Sequence, residues 1–177
     1  MKKRYFVGGI LLVCFFLSCQ KGLNYSVDNP ADSTAAGSQY YLKFKGNGVP
    51  YQYTQQTAAY FTTLNNLYNS SLIGETSALN GAEGMTISIY SDTLFVPNFT
   101  YTDGGLPVLG IPQTTLVFTD SSGIQYNSVN SSNPAVSLIF TTITPTYVQG
   151  TFSGNIKNQA GTDSLQVTEG SFVLPRS

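Results

Sequence analysis

The feature that most constrains this chain is a hydrophobic period of two. Tyr40, Leu42 and Phe44 alternate with Tyr41, Lys43 and Lys45, and Met85, Ile87 and Ile89 alternate with Thr86, Ser88 and Tyr90. Thr114, Leu116 and Phe118 likewise alternate with Thr115, Val117 and Thr119, and Val136, Leu138 and Phe140 share one phase. Successive side chains of a strand point to opposite faces, so segments of this kind bury one face and wet the other, whereas a helix needs a repeat near 3.6. Turn residues separate them: Gly46-Asn47-Gly48, Asp120-Ser121-Ser122-Gly123 ahead of Ile124, Tyr126 and Ser128, and Asn133-Pro134. A last hairpin pairs Val148 to Ile156 with Ser164 to Leu174 across a loop holding Asn158, Gly161 and Asp163. Its second strand changes phase between Leu165, Val167 and Phe172, Leu174, which places a bulge at Glu169-Gly170.

Residues 54–84 carry no clear period, but their Thr and aromatic content favours strand. Leu94 to Pro112, with Pro97, Gly104, Gly105, Pro107, Gly110 and Pro112, reads as a long irregular connection. Eight or nine short strands and no amphipathic helix predict an all-β fold, an antiparallel β-sandwich with a closed β-barrel as the alternative. Residues 39–177 are one domain's worth of chain, long enough to bury a proper core.

The amino terminus has a different character. Lys2, Lys3 and Arg4 precede an apolar run from Tyr5 to Leu17, then Ser18 and Cys19. A basic segment, a short apolar segment and a small residue at the cut describe a secretory signal over residues 1–18, and the run is too short for a stable span, which takes about 20 apolar residues. Phe16-Leu17-Ser18-Cys19 resembles a bacterial lipoprotein cleavage box, which implies lipidation of Cys19 after cutting. Two or three acyl chains at about 0.8 kcal/mol per buried methylene make a lasting anchor. Residues 19–38 then read as the lipidated cysteine and a flexible tether, since Gln20 to Ser38 is rich in Asn, Asp, Ser, Ala and Gly without hydrophobic period. Nineteen such residues have an r.m.s. reach of roughly 25 Å.

Composition narrows the chemistry. There is no His, so Ser-His-Asp and Cys-His catalytic sets and His-ligated metals are excluded. Two Cys, one of them lost with the signal, leave no disulfide framework and no all-cysteine metal site. Cutting before Cys19 takes Lys2, Lys3 and Arg4 from the eight basic residues, leaving five against nine acidic. A mature chain with net charge −4 is no nucleic-acid binder.

Tyr41-Leu42-Lys43-Phe44-Lys45-Gly46-Asn47-Gly48 at one end, and Val148-Gln149-Gly150-Thr151-Phe152-Ser153-Gly154 with Val167-Thr168-Glu169-Gly170-Ser171-Phe172 at the other, resemble the small lipoproteins of unknown function common in Bacteroidota. The resemblance covers about a third of the domain. It implies an all-β domain opened and closed by these hairpins and placed in the cell envelope; the family has no agreed activity or catalytic residues to carry over. In that phylum surface export goes with an acidic run after the lipidated cysteine, which Gln20-Lys21-Gly22-Leu23-Asn24 lacks, so the periplasmic face and the cell surface both stay open. Gln20 is not the aspartate linked to inner-membrane retention, which favours the outer membrane. Asp32-Ser33-Thr34, Asp92-Thr93-Leu94 and Asp163-Ser164-Leu165 resemble the O-glycosylation acceptor of the same phylum.

Among candidate contacts, Tyr41 and Tyr90 fall on the polar phase of their strands, where an aromatic ring can stack on a sugar or a peptide or simply cover its cross-strand neighbours. Tyr40, Tyr51 and Tyr53 share phase with core residues. Asp103, Asp120 and Asp163 adjoin Gly or Ser and suit turn capping, and Glu75, Glu83 and Glu169 have no partner visible in sequence. No Asp-x-Asp-x-Asp-Gly loop or phosphate-binding Gly loop occurs. The expectation is a lipid-anchored envelope protein with a non-enzymatic binding or structural domain, no metal and no cofactor, contacting the membrane through Cys19 and a glycan or envelope protein through its loops. The alternatives are an accessory carbohydrate-binding module and, last, a hydrolase with an acidic pair.

Overall fold

The alternating segments form strands in a computed structural model of the chain, whose described residues are 39–64, 66–77, 82–106 and 111–177. In chain order these are β1 (Tyr41–Gly46), β2 (Val49–Tyr53), β3 (Gln56–Leu64), β4 (Leu67–Glu75), β5 (Gly84–Ser91), β6 (Thr100–Thr102) and β7 (Gly105–Leu106). There follow β8 (Ile111–Pro112), β9 (Thr114–Thr119), β10 (Gln125–Asn127), β11 (Ser137–Ile143), β12 (Tyr147–Asn158) and β13 (Ser164–Pro175). Helix among the described residues is limited to one 3₁₀ turn, Ser128–Asn130.

Eleven strands make one antiparallel sheet in the order β2-β1-β13-β12-β10-β9-β5-β4-β3, with β11 beside β12 and β6 beside β11; β7 and β8 form a separate ribbon. Two short strands share one edge of the long β12: β11 pairs with Val148 to Ser153, and β10 with Lys157 and Asn158. The sheet then nearly closes on itself. β1 pairs with β13 as far as Val173, and beyond it Arg176 bridges in parallel to Ala59 of β3, with Ser177 N donating to Ala59 O at 3.0 Å. The predicted antiparallel all-β fold is what forms, and it takes a barrel-like shape that leaves few open edges.

The inward phase carries the core, with Leu42, Leu72, Met85, Ile87, Ile89, Leu116, Leu138, Val148, Ile156 and Leu174 buried. Ten aromatic rings run through it in one connected series, from Tyr126 and Phe118 through Phe44, Tyr51, Phe152 and Phe172 to Phe140, Phe61, Phe95 and Tyr101, and the exposed Phe99 abuts Tyr101 at its edge. Glycine makes room for two of these rings. Gly150 faces Phe172 and Gly170 faces Phe152 across the β12–β13 pair, and a Cβ at Gly150 would lie 2.6 Å from the Phe172 ring. The phase change at Glu169-Gly170 is a bulge: the register with β1 shifts between Lys43 and Lys45, and Glu169 takes φ +52°.

Local chemistry departs from the alternation in two places. Ile124 is exposed because the Asp120 carboxylate accepts from both Ser122 N (2.9 Å) and Ile124 N (2.8 Å), extending the turn through it. Ser128 leaves the strand because Asn127 Oδ1 caps Val129 N at 2.9 Å and starts the 3₁₀ turn. Its buried hydroxyl accepts instead from Leu116 N at 3.1 Å.

Strand directions give the molecule two ends. β1 begins opposite Val173, so the chain comes into the domain where β13 finishes. The Asn47-Gly48 turn, the 158–164 loop and the start of β11 lie at the opposite end.

Candidate functional site

Tyr41 and Tyr90 stand half-buried on outward positions of β1 and β5. In the hydrogen-bonded order β13, β12, β10 and β9 separate these strands, so the two rings form no common platform. Tyr41 lies under the Lys43 ammonium, 5.0 Å from its ring centroid, while Tyr90 sits opposite Asn69. Tyr53 is buried, as its phase suggested, and Tyr51 packs half-buried between Phe44 and Phe118 at 5.0 Å from each. Cys19 lies outside the described residues, as does Asp32-Ser33-Thr34.

The carboxylates are largely tied to neighbours. Asp120 caps its own turn, and Glu169 pairs with Lys45 at 2.8 Å on the surface. Tyr126 donates its hydroxyl to Asp163 Oδ2 at 2.8 Å, and Asp163 Oδ1 accepts from Ser164 N. Tyr53 donates to Glu83 Oε1 at 3.1 Å. These contacts hold protons on the phenols. The hydrogen bond to Asp163 comes first among the causes that push Tyr126 up to about 12, followed by burial and the Asp163 and Asp120 charges. Tyr53 rises further, from burial and then the Glu83 charge and hydrogen bond; Tyr51 rises through burial and the charges of Glu83 and Asp120. Burial also raises the Glu75 carboxyl. Among the described residues no group of three or more acidic or cysteine side chains converges as a metal site requires.

An open polar hollow of about 520 Å³ lies at the end away from the chain's point of arrival, where the Asn47 turn, residues 131–133 and the facing ends of β12 and β13 meet. Amides and hydroxyls line most of it. Asn47 is structural, donating to Ser164 O at 3.0 Å and accepting from Gln166 N at 2.8 Å, which clamps the first hairpin to β13. Asn155 Nδ2 donates to Asn133 O at 3.2 Å and fixes the strand that leads into β11. Gln166, Ser132 and Lys157 line the hollow, and their side-chain polar groups have no hydrogen-bond or ion-pair partner among the described residues. A preorganised rim of amide donors and acceptors with one cation suits a ligand dense in hydroxyls, which needs both polarities within a small area.

Sequence reasoning passed over these residues because Asn, Ser and Gln near turns are ordinary. Only the meeting of three segments distant in sequence makes them a surface. Comparison with protein-family models, with curated proteins and with solved structures yields no match to this chain.

Proposed function

We propose that this chain is a lipid-anchored protein of the outer membrane, of the kind it resembles in Bacteroidota, whose residues 39–177 form a non-enzymatic binding domain. The observation that carries the binding reading is the amide-rich hollow. It lies at the end of the domain opposite the start of β1, on the ends of β12 and β13 and the loops that meet them. The anchor itself rests on the order of residues 2–19.

A glycan is the ligand class favoured, because vicinal hydroxyls match the Gln166 amide and Lys157 could serve an acidic sugar. This moves the carbohydrate-binding reading from Tyr41 and Tyr90 to the hollow. A hydrolase is supported less, since the turn, tyrosine and lysine contacts described above already engage Asp120, Asp163, Glu83 and Glu169.

A glycan array probed with the mature chain, followed by titration of the best hit, tests the binding reading. Lys157→Ala and Gln166→Ala are each expected to weaken binding about tenfold, the effect of losing roughly 1.5 kcal/mol of polar contact. Tyr41→Ala and Tyr90→Ala are expected to leave it unchanged. Loss in the tyrosine variants alone would transfer the site to the sheet faces, and no binding to any glycan or envelope extract would leave a passive structural role. The intact mass of the native protein tests the anchor: acyl chains on a chain starting at Cys19 support it, and an unmodified mass refutes it.

A further inference from the structure

The connection between β5 and β6, residues 92–99, exposes three large apolar side chains: Leu94 at 67%, Val96 at 48% and Phe99 at 50%. It is a tied segment. Between the exposed residues Phe95 turns inward and packs on Phe61, Tyr101 and Phe140, with ring centroids 5.7, 5.5 and 5.9 Å away. Val96 N donates to the buried Tyr101 hydroxyl at 2.9 Å, Asn98 N donates to Phe140 O at 2.7 Å, and Thr93 N donates to Ser91 Oγ at 3.1 Å. Asn98 takes a left-handed φ of +61° directly after Pro97. Each exposed apolar residue therefore adjoins a fixed one, and the fold itself holds Leu94, Val96 and Phe99 in solvent. Leu64, 73% exposed at the β3–β4 turn, is at the same end, because β4 there runs beside the last residue of β5.

We propose that this apolar loop seats on the surface of the bilayer to which the chain is tethered, an inference that rests on the lipid-anchor reading. Two observations select a bilayer as the occupant. The first is where the remaining chain arrives. β1 starts opposite Val173, three residues before Arg176; the Arg176 guanidinium lies 4.5 Å over the Phe61 ring, and Phe61 packs on Phe95. The chain that follows Cys19 therefore enters the described domain at the end that bears the loop. The second is the loop's own chemistry. Leu94, Val96 and Phe99 are exposed on a loop whose Phe95 packs on Phe61 under the Arg176 guanidinium, and large apolar side chains bordered by a cation match a bilayer interface. Formal charge is balanced on this side, Lys43 and Arg176 against Asp92 and Asp103, the last next to Gly104, whose carbonyl accepts from Gln113 N beside Tyr90.

The chain contains no Trp, so Phe99→Trp supplies a single reporter. The mature chain, whose one cysteine is Cys19, is coupled through that thiol to maleimide lipid in phosphatidylethanolamine–phosphatidylglycerol vesicles with brominated acyl chains. This coupling supplies the tether whether or not the cell lipidates Cys19, so failure here is separate from failure of the anchor reading, which intact mass decides. The expected result is a blue shift and bromine quenching of the reporter at position 99, abolished by Leu94→Asp combined with Val96→Asp. A reporter placed by Ile124→Trp, on an exposed residue of the opposite end, is expected to show neither. An unquenched reporter at 99 in a folded, coupled protein overturns the proposal, as does equal quenching at 99 and 124. A native mass that places a sugar on Thr93 overturns it as well, because a glycan there would hold the loop off the bilayer.

Discussion

At the scale of single residues, packing and polar satisfaction pull in different directions. Gly150 and Gly170 leave space that Phe172 and Phe152 fill, a cross-strand arrangement in which a ring covers its glycine partner. Gly150→Ala is expected to cost about 1–3 kcal/mol or more, since the added methyl meets both the Phe172 ring and the Ile139 carbonyl; chemical denaturation checks it. Ser70 and Thr114 are the opposite case. Both are fully buried beside Ile89, on β4 and β9, and neither Ser70 Oγ nor Thr114 Oγ1 has a hydrogen-bond partner. Thr114→Val keeps the shape and removes an unpaired hydroxyl, so it is expected to be neutral or to stabilise by up to about 1 kcal/mol. Tyr126 gives a pH prediction. Its folded pKa lies above the unfolded value near 10, so its contribution is complete below pH 10 and is lost as pH rises toward 12. Spectroscopic titration is expected to show Tyr126 ionising late, and Asp163→Asn, which removes the largest cause, to bring it back toward 10.

At the scale of elements, the seam between β3 and β13 and the 92–99 connection share one anchoring cluster. Arg176 lies over Phe61, donates to Thr144 O at 3.1 Å and adjoins the parallel bridge to Ala59. Arg176→Ala is expected to cost about 1 kcal/mol, the range of an exposed cation–π contact, and to speed amide exchange in β3 while leaving β12 protected. Phe95 plays the corresponding part for the loop. Phe95→Ala is expected to free residues 92–99 with little effect on the β12–β13 hairpin, which amide exchange distinguishes from global loss of stability. The alternation made the strands legible, including the Glu169 bulge, because burying one face demands period two. Ile124 and Ser128 escaped it because the side chains of Asp120 and Asn127 bonded backbone groups that a ladder would otherwise have used.

At the scale of the molecule, the domain has two chemically different ends. One holds the start of β1 and displays Leu94, Val96 and Phe99; the other carries the amide hollow and the tyrosine–carboxylate pairs. In the proposed function these ends face membrane and ligand respectively. Neither end was readable from the chain alone. The hollow joins Asn47, residues 131–133, Asn155, Lys157 and Gln166, which more than a hundred positions separate at the extremes. The loop read simply as an irregular connection, because whether Leu94 or Phe95 faces the core depends on which ring fills the gap between β3 and β11.

The sequence by itself determined the antiparallel β architecture, most strand limits, the bulge and the exclusion of histidine and multi-cysteine chemistry, since periodicity and residue inventory are local properties. The order of strands, the near-closure at Ala59 and Arg176, the burial of an aromatic series and the gathering of polar side chains at one end were decided by tertiary structure. The reason is that partners more than a hundred residues apart, such as Lys45 and Glu169 at a separation of 124, meet only when the whole sheet curls to bury its inward face.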